Sequence, residues 1–169
     1  MPALKDHVSK LDLTLSYAKM IHEMGDDNRG VIRPNGRKDY QLIYIKKGSL
    51  EYYHDNKVSV YGKNTLLLIR PGVPQKRRLI LNDENFVYFY VHFSGSAVEE
   101  KLKEYNLTET IYEFNEKLDF FEECFNRMEA GKNSIHHQEL CDLLLQELLI
   151  HIYDGLKKDR EILFKKGFG

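Results

Sequence analysis

No apolar stretch of the kind that opens a signal peptide occurs in the start MPALKDHVSKLDLTLS, and no later run approaches the roughly 18 consecutive apolar residues of a membrane span. The chain is therefore expected to be cytoplasmic, with no membrane partner. Cysteine is scarce: Cys124 and Cys141 are the only two, and they stand in helical patterns rather than in a C-x-x-C pair or a disulfide-like spacing. Reduced, partly buried thiols are the expected state. An excess of one charge is missing as well. Twenty-five Lys and Arg stand against 26 Asp and Glu, a net charge of -1, so these residues as a whole carry no electrostatic footprint for nucleic acid.

Catalytic signatures are equally sparse. There is no G-x-S-x-G elbow, no Gly-rich phosphate loop and no H-x-H pair. His136 and His137 are adjacent, so on a helix they point about 100° apart and cannot share one ion, and His151 lies further along. What is present is enough for one folded domain. The 169 residues are 42% hydrophobic and 30% charged, which suits a soluble globular domain with a sizeable core and is short for two.

Turn chemistry divides the chain. Residues 1–30, ending in GDDNRG, read as an N-terminal arm. From Tyr40 onward short apolar runs alternate with tight turns: DYQLIYIKKG, SLEYY, the hairpin turn HDNK, VSVYG, NTLLLIRPG, KRRLIL and NFVYFYVHFSG. Closely spaced strands of this kind argue for an antiparallel sandwich or small barrel over residues 31–96. After HFSGS the chemistry changes. AVEEKLKEY has the composition of a short helix, residues 109–114 are a candidate extra strand, and EKLDFFEECFNRMEA places apolar residues at 118, 121, 125 and 128, a helical period. GKNS supplies a stop and a fresh N-cap, at Asn133 or Ser134, for a last helix of some five turns. Strands first and helices afterwards make the class α+β.

Two features bear on function. The last helix is apolar around much of its girth, and the residues Leu140, Leu144, Leu145, Leu148, Leu149 and Ile152 are expected to form a homodimer interface within a helical dimerisation segment, residues 97–169; cover by the preceding helix is the alternative. The late strand NFVYFYVHFSG has an aliphatic and aromatic face, Val87, Phe89, Val91 and Phe93, and a second face of Phe86, Tyr88, Tyr90 and His92. Neither face is simply hydrophilic. Rings tipped with polar groups line small-molecule pockets, and a barrel that holds a ligand accounts for such a face; tyrosines buried against backbone partners are the alternative. Tyr44 and Tyr52 are further candidates on neighbouring strands. Arg33, in VIRPNGRKDY, and Arg77, after RPGVPQ, place guanidinium donors beside the strands.

The runs RPNGRKDYQLIYIKKGSLEY, LLLIRPGVPQKRR and VYFYVHFSGS together resemble the cupin-type effector-binding domain of AraC-type transcription regulators, over residues 31–96. That resemblance implies a cupin-like antiparallel β-barrel, a jelly roll, followed by C-terminal helices. It also implies a small effector inside the barrel, dimerisation through the helices, and DNA binding only through a separate C-terminal domain that this chain does not contain. In sugar-responsive members an Arg before the first barrel strand touches the ligand, matching Arg33, and a ring pair on the late strand matches Tyr88 and Tyr90. Where such members can carry a Tyr after the Pro-Gly turn, this chain has Arg77, a departure that favours a more acidic effector.

Enzymes on the cupin fold generally use an H-x-H pair with a Glu and a further His after the Pro-Gly turn, where this chain has Gln75. No metal site and no cofactor are expected. A metal-free isomerase or epimerase acting on a sugar, with His92 as base, is the alternative to a sensor. The leading expectation is a non-enzymatic domain that binds a sugar-like effector through Arg33, Tyr44, Arg77, Tyr88, Tyr90 and His92.

Overall fold

The computed structural model describes residues 13–22, 30–80 and 85–165. Among these described residues, nine strands and three helices follow in the order β1 (Thr14–His22), β2 (Gly30–Arg33), β3 (Tyr40–Lys47), β4 (Ser49–His54), β5 (Lys57–Tyr61), β6 (Thr65–Ile69), β7 (Gln75–Ile80), β8 (Phe86–Ser94), α1 (Val98–Glu104), β9 (Ile111–Glu113), α2 (Asp119–Ala130) and α3 (His137–Lys165). The strands form two sheets, of order β1-β8-β3-β6-β9 and β2-β7-β4-β5, and every pairing is antiparallel. This is the α+β, cupin-like jelly roll with C-terminal helices.

Local chemistry sets the corners. Asp55 and Asn56 adopt φ of 50° and 61°, the left-handed pair of a tight two-residue hairpin, and so join β4 to β5. Gly48 carries the chain from one sheet to the other at φ 90°, and a Cβ there would stand 2.8 Å from the Phe86 ring. Only glycine satisfies both conditions.

β3 and β6 lie in the middle of the larger sheet and are covered on both faces. Leu42, Tyr44, Leu66 and Leu68 face outward with Phe89, Val91 and Phe93 of β8, beneath Phe121 and Phe125 of α2 and Leu145, Leu148 and Leu149 of α3. Ile43, Ile45, Leu67 and Ile69 face inward toward Leu50 and Tyr52 of the smaller sheet. Burial of each such aliphatic chain stabilises the fold by about 1.5–3 kcal/mol. The double cover explains why LIYI and LLLI run apolar without alternation.

Two expectations change here. Residues 14–22 belong to the sheet rather than to an arm: β1 pairs with β8 along its length, Thr14 to His22 against Ser94 to Phe86. Its short alternating stretch, with Leu15 and Tyr17 packed toward the helices, is masked in sequence by flanking lysines. The rest of that expected arm lies outside the described residues, apart from Leu13 and Gly30.

The second change concerns the dimer interface. Leu144, Leu145, Leu148, Leu149 and Ile152 are at most 2% exposed in the single chain, packed under the larger sheet and α2, and Leu140 fits against Gly131 at the end of α2. These side chains hold α3 to its own domain, Leu140 being the one that stays partly exposed. α3 is also longer than expected, 29 residues or about eight turns. Leu143, Ile150 and Leu163 are exposed on it. Among the described residues, no helix is long and apolar enough to cross a membrane.

Candidate functional site: the inner wall of the barrel

Alternation along the strands decides which side chains share the interior. On β8, Phe86, Tyr88 and Tyr90 pack with the inner cluster, and His92 follows on the same face, its ring stacked on Tyr90 at 4.5 Å. Tyr88 and Tyr90 are neighbours at 6.4 Å. On β7, Leu79 packs inward, so Arg77 and Gln75 point the same way. Directly opposed residues in antiparallel pairs lie on one side of the sheet. Arg33 therefore joins Gln75, its partner across β2 and β7, and Tyr52 joins Arg77 across β4 and β7. Gln41, opposite His92, completes the ring from β3.

The loop after β2 brings a further cation. Gly36 lies so close to the Val73 carbonyl that a Cβ would come within 2.5 Å of it, and the Gly72 amide donates to the Arg37 carbonyl at 2.8 Å. The RPNGRKD and RPGVPQ segments, far apart in sequence, thus lock together at one end of the barrel. Arg37 makes a two-pronged pair with Asp39, at 2.6 and 2.9 Å.

The interior is graded from one end to the other. Ile45, Leu50, Leu67 and Phe86 are no more than 1% exposed and close one end. Toward Gln75 and His92 the wall turns polar, and Arg33, Arg77, Tyr88, Tyr90 and His92 are each only partly buried. Among the described residues, four buried side-chain atoms have no hydrogen-bond partner: Gln41 Oε1, Tyr52 OH, Gln75 Nε2 and His92 Nε2. An unsatisfied buried polar atom costs about 1–3 kcal/mol, and four on one wall call for a common cause. Arg77 donates to Gln75 Oε1 at 2.8 Å, which fixes the amide so that its unpaired atom is a donor.

The electrostatics are one-sided. Burial, above all, pushes the Arg77 pKa below its ordinary value, and the nearby Arg33 and Arg37 charges push the same way against Tyr88 and Tyr52. His92 falls to about 4, first through burial and then through Arg37, with Asp39 opposing and Arg33 and Arg77 adding to the fall. It is neutral at pH 7. Burial raises the hydroxyl pKa of Tyr52 and Tyr88.

Tyr44 does not belong to this wall. It lies on the opposite face of β3, stacked on Phe121 at 4.9 Å, where its hydroxyl donates to Asn64 Oδ1 and accepts from the Leu118 amide. Its parity on β3 follows Leu42 rather than Ile43, so helices cover it. Arg78, the neighbour of Arg77, faces outward and pairs with Glu51. Sequence reasoning missed Arg37 and Gln41, and it treated Gln75 only as the place where a metal-ligating His was lacking. An isolated buried glutamine has no sequence signal beyond its parity with inward aliphatic residues. Among the described residues no group of three His, Cys, Asp or Glu side chains is placed to hold a metal ion.

A two-sheet jelly roll with a polar inner wall that carries arginines is a cupin-type barrel. The sequence matches the AraC-like ligand binding domain over residues 16–152, and the chain belongs to that family. Curated proteins offer no significant match to it in sequence. Among solved structures, an apo ToxT variant from Vibrio cholerae superposes with a TM-score of 0.55 at 12% identity, covering 79% of this chain and 54% of that one. ToxT from the same organism bound to (E)-4-(8-methylnaphthalen-1-yl)but-3-enoic acid superposes at 0.51 and 13% identity, covering 88% and 57%. An RmlC-like cupin from Shewanella frigidimarina aligns over 47% of this chain and 65% of its own, with 14% identity and a TM-score of 0.38. The chain thus spans little more than half the length of the ToxT chains it matches.

Proposed function

We propose that this domain senses a small polar effector, such as a sugar or sugar derivative, for an AraC-type transcription regulator, with Arg33, Arg77, Tyr88, Tyr90 and His92 as its contacts. The observation that carries the reading is the set of four unpaired buried polar atoms on the inner wall, beside two guanidiniums and a ladder of aromatic rings. Rings supply flat apolar area to a bound molecule, and the polar atoms orient it. The family match supports a regulator rather than an enzyme. His92, with a pKa near 4, is also a weak base at neutral pH, which counts against the isomerase or epimerase reading.

A bound effector biases the regulator only through its different affinity for two arrangements of the protein. DNA binding belongs, in this reading, to a separate domain of the full regulator. Homodimerisation is part of the same proposal, with the exposed stripe of Leu143 and Ile150 on α3 as its surface.

The test is thermal unfolding of the chain against a panel of sugars and sugar acids, since a ligand that binds only the folded state raises the melting temperature. One or more compounds are expected to raise it, and Arg33→Ala is expected to abolish the shift. A panel without any stabilising compound counts against the sensor reading, as does an Arg33→Ala variant that responds like the parent.

A further inference from the structure

The inner wall offers an uneven set of hydrogen-bonding atoms. Arg33 and Arg77 can only donate, and so can Gln75 Nε2, because the amide oxygen of Gln75 is already engaged by Arg77. Gln41 Oε1 accepts, Tyr52 OH can donate or accept, and His92 Nε2 does either according to its tautomer. Among the described residues no carboxylate pairs with Arg33 or Arg77; Asp39 is taken by Arg37 and Glu51 by the outward Arg78. A neutral ligand would leave the desolvated Arg77 guanidinium, with Arg33 beside it, without countercharge, and a cation removed from water is costly unless paired.

We infer that the effector is an organic acid with hydroxyl groups, its carboxylate held by Arg77 and Arg33 with Gln75 Nε2, and its hydroxyls meeting Tyr52, His92 and Gln41. The inference rests on the sensor reading above and narrows its ligand to one chemical class. The planar fork of a guanidinium matches a carboxylate in two-pronged fashion, which a hydroxyl cannot reproduce. Tyr88 and Tyr90 then lie alongside the carbon skeleton. The same reading gives the buried Gln75 a role: its oxygen accepts from Arg77 and its Nε2 adds one more donor for the same carboxylate.

The experiment is a melting-temperature titration of the chain at pH 7 and constant ionic strength, with aldonates, uronates and 2-hydroxy acids each set beside its neutral parent sugar or alcohol. At least one acid is expected to stabilise the protein while its neutral parent does not. Arg77→Gln is expected to weaken that acid by about tenfold or more, the loss of a charge-assisted anchor. Arg77→Met tests the cation without a ligand: it removes a charge that has no carboxylate partner but also the donor to Gln75 Oε1, so the unliganded variant should melt within about 5 °C of the parent. A neutral sugar that binds as tightly as its acid overturns the inference and leaves the sensor reading standing, and silence from acids and neutral compounds alike overturns both. A marked fall in the melting temperature of unliganded Arg77→Met makes Arg77 a structural residue and overturns the inference even where some acid binds.

Discussion

The hydroxyl of Tyr44 accepts a hydrogen bond from the backbone amide of Leu118 at 3.0 Å, across 74 residues of sequence. It joins the central strand of the larger sheet to the residue that precedes α2. The same hydroxyl donates to Asn64 Oδ1 at 3.2 Å, so both roles of the group are used within the chain. Tyr44→Phe should therefore lower stability by about 1–3 kcal/mol, the cost of a buried amide left without its acceptor. Urea unfolding measures the loss. Ligand affinity at the inner wall should stay unchanged, because the ring remains in place on the other face of the strand.

His92 makes stability depend on pH with a definite sign. Its pKa in the folded chain is lowered from 6.5 to about 4, chiefly by burial, so folding favours the neutral ring. The contribution is complete above pH 6.5 and is lost as pH falls through about 4, because the unfolded chain binds the proton first. A loss of about 2–3 kcal/mol over that window follows from the linkage relation. Melting curves of the parent and His92→Gln between pH 7 and 4 should converge or cross as the pH falls, and parallel curves would contradict the assignment.

Gly48 turns the chain between the sheets with a positive φ and the Phe86 ring against it. Gly48→Ala combines backbone strain with a steric clash, and a loss of about 2–4 kcal/mol is expected. Denaturant midpoints check this. Gly72, also at positive φ but with open space where its Cβ would go, should tolerate alanine with a smaller loss.

The helical segment separates folding from association. Leu148 is fully buried, and Leu148→Ala should cost about 2–5 kcal/mol whatever the oligomeric state. Leu143 is 64% exposed, so Leu143→Asp should change monomer stability by only about 0.5 kcal/mol or less. If α3 pairs with a second copy through its outer stripe, sedimentation should show that Leu143→Asp dissociates the pair while a conservative change at Leu148 does not. Unaltered association would move the interface elsewhere.

Cys124 and Cys141 are both buried and unpaired, and burial raises both thiols, Cys124 to about 11. The thiolate is the reactive form, so neither should be alkylated by iodoacetamide at pH 8 in the native chain. Both should react once the chain is unfolded in urea. Mass spectrometry distinguishes the two states.

Much of the strand order was legible because turns are written locally. HDNK forms its hairpin through Asp55 and Asn56, and the apolar positions 118, 121, 125 and 128 are all buried as the helical period requires. The division of the late strand was legible too: Phe89, Val91 and Phe93 meet the helices, and Phe86, Tyr88 and Tyr90 meet the interior. β1 was harder to see, since Lys19 and the polar residues around it blur a short alternation, and its cover comes from β8 far along the chain.

The candidate site divides along the same line. By itself the sequence determined the α+β order, the turns, the two faces of each strand and the presence of arginines near the strand ends, because all of these depend on neighbours in the chain. Tertiary structure alone decided what lies over each face. Periodicity states which side chains point together, but not whether a helix, a second sheet or another molecule covers them. For that reason Tyr44 went to the helices while Tyr88 and Tyr90 went to the interior, the leucines of α3 went to the domain's own core, and Gln41, Gln75 and Arg37 reached the inner wall only once the two sheets closed on one another.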